Sequence, residues 1–382
     1  MLPRPSKDGP KAQVRMPEGA TSLMRYAIRG DLEGIDRELE NGADINARDP
    51  QGFTALAHAA GAGNLESVKR LLDRRAAIDL PTHLGSTPLM QAISGGHSEV
   101  AALLVERGAN INARLKRSGT TPLILAAWHD RADMVVLLLD KGAQIDSRNQ
   151  GGVTALMTAL ERRNRDVAQL LLKRGASIDG WTRGGNSILH IAAGADDAEA
   201  VRELLARGMD VDLRNPLGAT PAMRASMRGA LAALQVLIES GADVNTTSNN
   251  GTTVLTMAVA NAETNAIRLL VEKGADINAR NRDLGGTVLL WAAGRQHKKV
   301  VQVLLELGAD PNIQDNAGRS ALMLAADLGD VDIVKTLLAA KADPALLDSE
   351  GRSALDWAKA KKRTPVINLL ETGATTAQNN DS

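Results

Sequence analysis

A strict internal period constrains this chain more than any other feature. A Gly-x-Thr/Ser-x-Leu signal recurs with its hydroxyl residue at Thr21, Thr54, Thr87, Thr121, Thr154, Ser187, Thr220, Thr253, Thr287, Ser320 and Ser353, with Ala222 in place of the leucine after Thr220. Every interval is 33 residues except two of 34, giving eleven copies in phase. Such modules are too short to close a core alone, so neighbours must bury one another's apolar faces.

Each copy carries the same punctuation. The Thr or Ser is placed to cap a helix N-terminus, and Pro follows at the first helical position in Thr87-Pro88, Thr121-Pro122 and Thr220-Pro221. Ala pairs one turn later, such as Ala59-Ala60, Ala126-Ala127 and Ala292-Ala293, let adjacent backbones approach closely. A second helix carries Val and Leu at helical spacing, as in Val100, Leu103, Leu104 or Val300, Val303, Leu304. Gly108, Gly142, Gly175, Gly241, Gly274 and Gly308 then suit a left-handed C-cap, and an Ala-Asp-Ile-Asn type stretch reads as an extended turn or hairpin.

The run Gly-x-Thr-Pro-Leu-His-x-Ala-Ala, Gly-His-x-Glu-Val-Val-x-Leu-Leu-Leu, Gly-Ala-Asp-Val-Asn-Ala resembles the ankyrin repeat family over roughly residues 16 to 373, and Gly85 to Asn112 follows it almost throughout. The resemblance implies an all-α fold of helix-turn-helix-hairpin repeats, an ankyrin-type α-solenoid whose hairpins and first helices line a concave face. Repeats start near 16, 49, 82, 116, 149, 182, 215, 248, 282, 315 and 348, the first and last serving as caps. Residues 1–15 and 374–382 are expected as disordered tails. Arg75 and Lys341 stand where the pattern has glycine, so a left-handed turn there should cost roughly 1 kcal/mol and leave a soft joint.

Composition fits an array better than a compact domain. Hydrophobic residues are 44%, yet Phe and Tyr occur once each and Trp four times, so small side chains must fill the interfaces. Lys plus Arg equals Asp plus Glu at 45 each, which argues against a generally basic protein that coats nucleic acid. The absence of cysteine excludes disulfides and thiolate metal sites. No secretory signal or membrane-length apolar run is visible, and a monomeric cytoplasmic protein is expected.

Enzyme chemistry finds no support. His190 and His97 fill the family's own histidine slots, His297 shares the slot of His97, and no phosphate loop, zinc spacing or His-Glu-x-x-His occurs. Met24, Met90, Met157, Met223 and Met323 share the slot of His190 and read as soft interface filler rather than metal ligands. No cofactor and no metal is expected.

Function should then lie in the slots the fold leaves free: the hairpin residues and the end of the first helix. From the third to the ninth repeat these hold Arg114, Lys116, Arg117, Arg148, Arg162, Arg183, Arg214, Arg228, Arg280, Arg282 and Arg295, against only Glu161 and Asp283. Trp128, His129 and Trp181 join them. Acids lie instead on second helices, at Glu99, Glu106, Asp133, Asp140, Asp166, Glu239, Glu272 and Glu306, and in other hairpin slots such as Asp210, Asp243 and Asp276. Repeats of this family commonly end in Arg followed by Asp, and Arg48-Asp49 offers such a pair, whereas Arg148, Arg214 and Arg280 precede asparagine. The two repeats with an extra residue, at Leu115 to Ser118 and Asn281 to Gly285, should project further. Together these features predict a basic groove that binds a partner protein through an acidic or phosphorylated segment. Two other readings compete with it. Arg with stacking Trp suits a nucleotide or single-stranded nucleic acid, and a chain of this kind could also be a structural subunit of a larger assembly.

Overall fold

The computed structural model describes residues 18–378. The tail expected at 1–15 lies outside the described residues, as do residues 379–382 of the other; the last helix, Thr364–Gln378, continues past Gly373. Among the described residues there are 22 helices and no strand, only an isolated bridge between Thr247 and Thr253. They alternate between first helices of seven or eight residues and second helices of nine, the last being longer. None is long and apolar enough to cross a membrane. The chain divides into two compact bodies, one ending at Arg183 and one beginning at Gly184.

In the first body the caps form as the sequence dictates. Thr121 Oγ1 accepts from the Ile124 amide at 3.3 Å while Pro122 opens helix Pro122–Trp128, and Thr54 does the same for the Ala57 amide at 3.1 Å. Ala59, Ala60, Ala126 and Ala127 are fully buried where successive first helices pack. Leu71, Leu104, Leu138 and Leu171 form the buried stripe of the second helices. Each such leucine contributes about 1.5–3 kcal/mol by leaving water, which only a neighbouring repeat can provide.

Polar side chains stitch each repeat to the one before. Asn164 Nδ2 donates to the Ala127 carbonyl at 2.7 Å, and His97 Nε2 lies 3.0 Å from the Gly61 carbonyl, in each case at the frayed end of the preceding first helix. On the hairpin side, Asp79 and Asp146 accept from the amides of Asn110 and Ser177, both at 2.9 Å. Amides of successive turns add a ladder: Lys116 to the Leu84 carbonyl at 2.9 Å, Gln150 to Ser118 at 2.7 Å and Arg183 to Gly151 at 2.6 Å.

The second body repeats this plan. Leu204, Leu237, Leu270, Leu304 and Leu337 are buried, and Asn249 and Asn316 amides bond the Leu217 and Leu284 carbonyls at 3.0 and 2.9 Å. His190 is fully buried, with Nδ1 2.8 Å from Ser187 Oγ and Nε2 3.0 Å from the Ala219 carbonyl, so it ties a cap to the next hairpin. The methionines in the same slot, Met24, Met90 and Met157 in the first body and Met223 and Met323 in the second, are all buried. Met323 Sδ even accepts from the Ser320 amide at 3.5 Å.

Arg75 and Lys341 do adopt left-handed backbone, with φ of 66° and 65°, beside glycines such as Gly175 at 83°. Six further non-glycine residues share that region: Asp130, Arg163, Asp196, Ala262, Gln296 and Lys362. They follow the first helices, where the slot mixes glycine with other residues.

Candidate functional site

The free slots place their cations on hairpins and first-helix ends of both bodies. In the first body Arg114, Lys116, Arg117, Arg148, Arg162 and Arg183 are exposed, and in the second Arg214, Arg228, Arg280, Arg282 and Arg295 are. Their surroundings differ from the expectation in one respect, because in several repeats the last residue also braces the fold. Arg114 Nη1 donates to the Gly119 carbonyl at 3.2 Å in its own hairpin and to the Arg148 carbonyl at 2.7 Å in the next. Arg148 reaches the Trp181 carbonyl at 3.2 Å, Arg214 reaches Thr247, and Arg48 reaches both Gly52 and Pro81. An uncharged amide can do the same, for Gln314 Nε2 donates to Gly318 and, at 2.8 Å, to Leu347.

The expected pairing of Arg48 with Asp49 is therefore corrected. Asp49 is buried and accepts from the Gln51 and Phe53 amides at 3.0 and 2.8 Å, and its other oxygen meets His58 Nε2 at 2.8 Å. This slot supplies an acceptor that closes the hairpin turn. Asn149 Oδ1 accepts from Gly151 and Val153 at 2.8 and 3.0 Å, and Asp348 Oδ1 accepts from Glu350 and Arg352, both at 2.9 Å. Amide and carboxylate fill the same post, and only the carboxylate brings charge.

Carboxylates meet cations mainly along the second helices. Arg107 pairs with Asp73 at 2.9 Å and Arg174 with Asp140 at 2.7 Å in the first body, and Arg268 with Glu306 at 2.6 Å in the second. Carbonyl partners leave the full positive charge of Arg114, Arg148 and Arg214 in place.

Trp128 ends helix Pro122–Trp128, is 45% exposed, and has the Arg162 guanidinium 4.3 Å from its ring centroid. His129 beside it is half-buried, and burial, then the charges of Arg131 and Arg162, lower its pKa. Trp128 and His129 wall a cavity of about 330 Å³ with Leu115, Ile124, Val153 and Glu161. Trp181 is half-buried and its carbonyl receives Arg148. In the second body the Arg282 stem lies across Gly251, and Arg228 caps the end of helix Pro221–Met227.

Sequence reasoning passed over Trp291. It lies half-buried on helix Val288–Gly294 beneath the Arg295 guanidinium, 4.3 Å from the ring centroid, with His297 edge-on at 5.7 Å. Its slot, four residues after the capping hydroxyl, also holds His58 and Trp357, and that recurrence was the signal that could have found it. Leu115 likewise reads in the sequence only as part of a longer hairpin, not as the floor of a cavity.

A family model of ankyrin repeats in three copies matches residues 23–115, 114–180, 177–248, 222–315 and 289–380. Among solved structures, the crystal structure of the human ASB11 ankyrin repeat domain is similar, with 24% identity and a TM-score of 0.53 over 59% of this chain and 99% of that one. At that identity the likeness shows the fold alone. No curated protein sequence matches the chain. With the family model spanning nearly all described residues and the capped helix pairs in place, the chain belongs to the ankyrin repeat family.

Proposed function

We propose that this chain is a non-enzymatic interaction module of eleven ankyrin repeats that holds an acidic segment of a partner protein on its hairpin side. Ankyrin repeats are generally protein–protein interaction modules. The observation that carries the finer reading is the separation of charge. Second-helix cations such as Arg107 and Arg174 meet carboxylates, whereas Arg114, Arg148 and Arg214 meet carbonyl oxygens and keep their charge at the surface. Exposed Lys116, Arg117 and Arg183 add to it. Anchored guanidinium groups present their remaining N–H donors in a fixed direction, which lowers the entropy lost when a carboxylate docks.

Gln314 supplies a clean test, because glutamine in that slot keeps the carbonyl bonds and removes the charge. Arg114→Gln, Arg148→Gln and Arg214→Gln should leave circular dichroism unchanged. Each should weaken capture of a labelled glutamate-rich peptide by about two- to fivefold and flatten its salt dependence. Unaltered affinity in the triple variant would remove the reading. Tighter capture of a single-stranded oligonucleotide at matched ionic strength would put nucleic acid in the peptide's place.

A further inference from the structure

The cavity beside Trp128 arises from two local departures in the repeat. The repeat gains a residue between Leu115 and Ser118, and Leu115 occupies the turn-closing slot that holds Asn149, Asn215 or Asp348 elsewhere. The backbone bond common to these turns remains, the Gly119 amide donating to the Leu115 carbonyl at 2.8 Å as Gly152 does to Asn149 at 3.0 Å, while Ser118 Oγ takes over the Thr120 amide at 3.3 Å. An apolar side chain thus stands where the other hairpins turn a polar one inward. With Ile124 and Val153 it lines an apolar hollow of about 330 Å³, walled by Trp128 and His129.

We infer that this hollow seats one uncharged phenol ring, the tyrosine side chain of an acidic segment. The inference rests on the proposed acidic partner for its flanking charge. Size admits the occupant: the volume lies within the roughly 300–1,000 Å³ of ligand pockets, and the apolar lining favours a ring over a charged group. Trp128 is a wall held in place, since Arg162 fixes one face of its indole at 4.3 Å. Glu161, the acid among the lining residues, selects between rings. Its carboxylate accepts from a phenol hydroxyl, gains nothing from a benzyl group and repels a phosphate. Outside the hollow, exposed Arg114, Lys116, Arg117 and Arg148 complement acidic residues on either side of the tyrosine.

The test uses the full chain and three labelled glutamate-rich peptides that differ only at a central residue: tyrosine, phosphotyrosine or alanine. Fluorescence anisotropy should show the tyrosine peptide bound roughly tenfold or more tighter than either of the others. Val153→Phe, which fills the hollow, should bring the tyrosine peptide to within about twofold of the alanine one. Lys116→Glu with Arg117→Glu should weaken all three peptides together. Equal affinity for the tyrosine and alanine peptides in the unaltered chain, or a tyrosine advantage that survives Val153→Phe, overturns the inference while leaving the acidic partner in place. If no peptide binds, the acidic partner falls, and p-cresol decides the seat by itself. Millimolar p-cresol should shift the Trp128 indole N–H resonance, assigned by its loss in Trp128→Phe; an unmoved resonance overturns the seat.

Discussion

Gly152→Ala and Gly175→Ala form a matched pair that separates backbone strain from steric contact. Both glycines are left-handed, with φ of 76° and 83°. Alanine there costs about 1–2 kcal/mol in the folded state, and a narrower unfolded ensemble returns about 0.4–1 kcal/mol, leaving a net cost near 1 kcal/mol for each. Their surroundings differ. A Cβ on Gly175 would meet nothing within 4 Å, whereas one on Gly152 would lie 2.9 Å from the Arg183 amide nitrogen and 3.1 Å from the Trp181 carbonyl oxygen. Both are backbone atoms, so relief requires moving the hairpin that carries Trp181 and Arg183, together with the 2.6 Å bond from Arg183 to Gly151. Overpacking of this kind adds about 1–3 kcal/mol, for a total of about 2–4 kcal/mol. Urea melts followed by circular dichroism should therefore place Gly152→Ala well below Gly175→Ala, and amide exchange at Arg183 should accelerate in the first variant alone. Equal midpoints, or unchanged exchange at Arg183, would refute the reasoning. The reverse change tests the strain by itself: Arg75→Gly, in the slot of Gly175, should stabilise the first body by about 1 kcal/mol.

Leu138→Ala removes a side chain that is 1% exposed and should cost about 2–5 kcal/mol, with unfolding of the first body splitting into stages; a single sharp transition would count against separable repeats. Burial alone would raise the Asp348 pKa, but the Arg352 amide, the Trp357 indole, the Arg352 guanidinium and the Glu350 amide hold it down at about 2. A depressed carboxylate pKa gives stability that is complete above the ordinary value of 3.8 and is lost as pH falls toward 2, so Trp357 fluorescence should report local loosening in that window, and Asp348→Asn should abolish the pH dependence. Asp212 shows the opposite sign: burial first, then Asp243 and Asp210, raise its pKa, so its share of stability falls as pH rises through the carboxylate range. Asp212→Asn keeps an acceptor for the Asp243 amide, as Asn245 does for Asp276, and should raise the melting temperature at neutral pH but not at pH 3.

What the sequence made legible is what short-range punctuation controls. Thr121 and Pro122 announce a helix start because both act within one turn, and the methionine slot reads as core because His190 shows what the slot requires. Arg75 and Lys341 stand out against a column of glycines, whereas Asp130 and Ala262 do not, since their column is mixed. The bracing role of Arg148 was hidden because its partner is a backbone carbonyl 33 positions on, and carbonyls leave no trace in a residue pattern. Asp49 misled for a related reason: adjacency suggested Arg48, while the fold brings His58 to 2.8 Å from nine positions away. The cavity at Leu115 needed both an inserted residue and the shapes of Ile124 and Val153 around it, a volume that one-dimensional spacing does not encode.

Outside the hairpin of Leu115, a side-chain oxygen fastens hairpin corners in both bodies, and Asn149 and Asp348 offer it to equivalent amides at nearly the same distances. Architecture and electrical sign are therefore independent variables at this post. A frame so built can be rewritten step by step, neutral or negative at any rung, without altering its spacing, and its selectivity can be re-tuned by exchanging a single nitrogen for an oxygen.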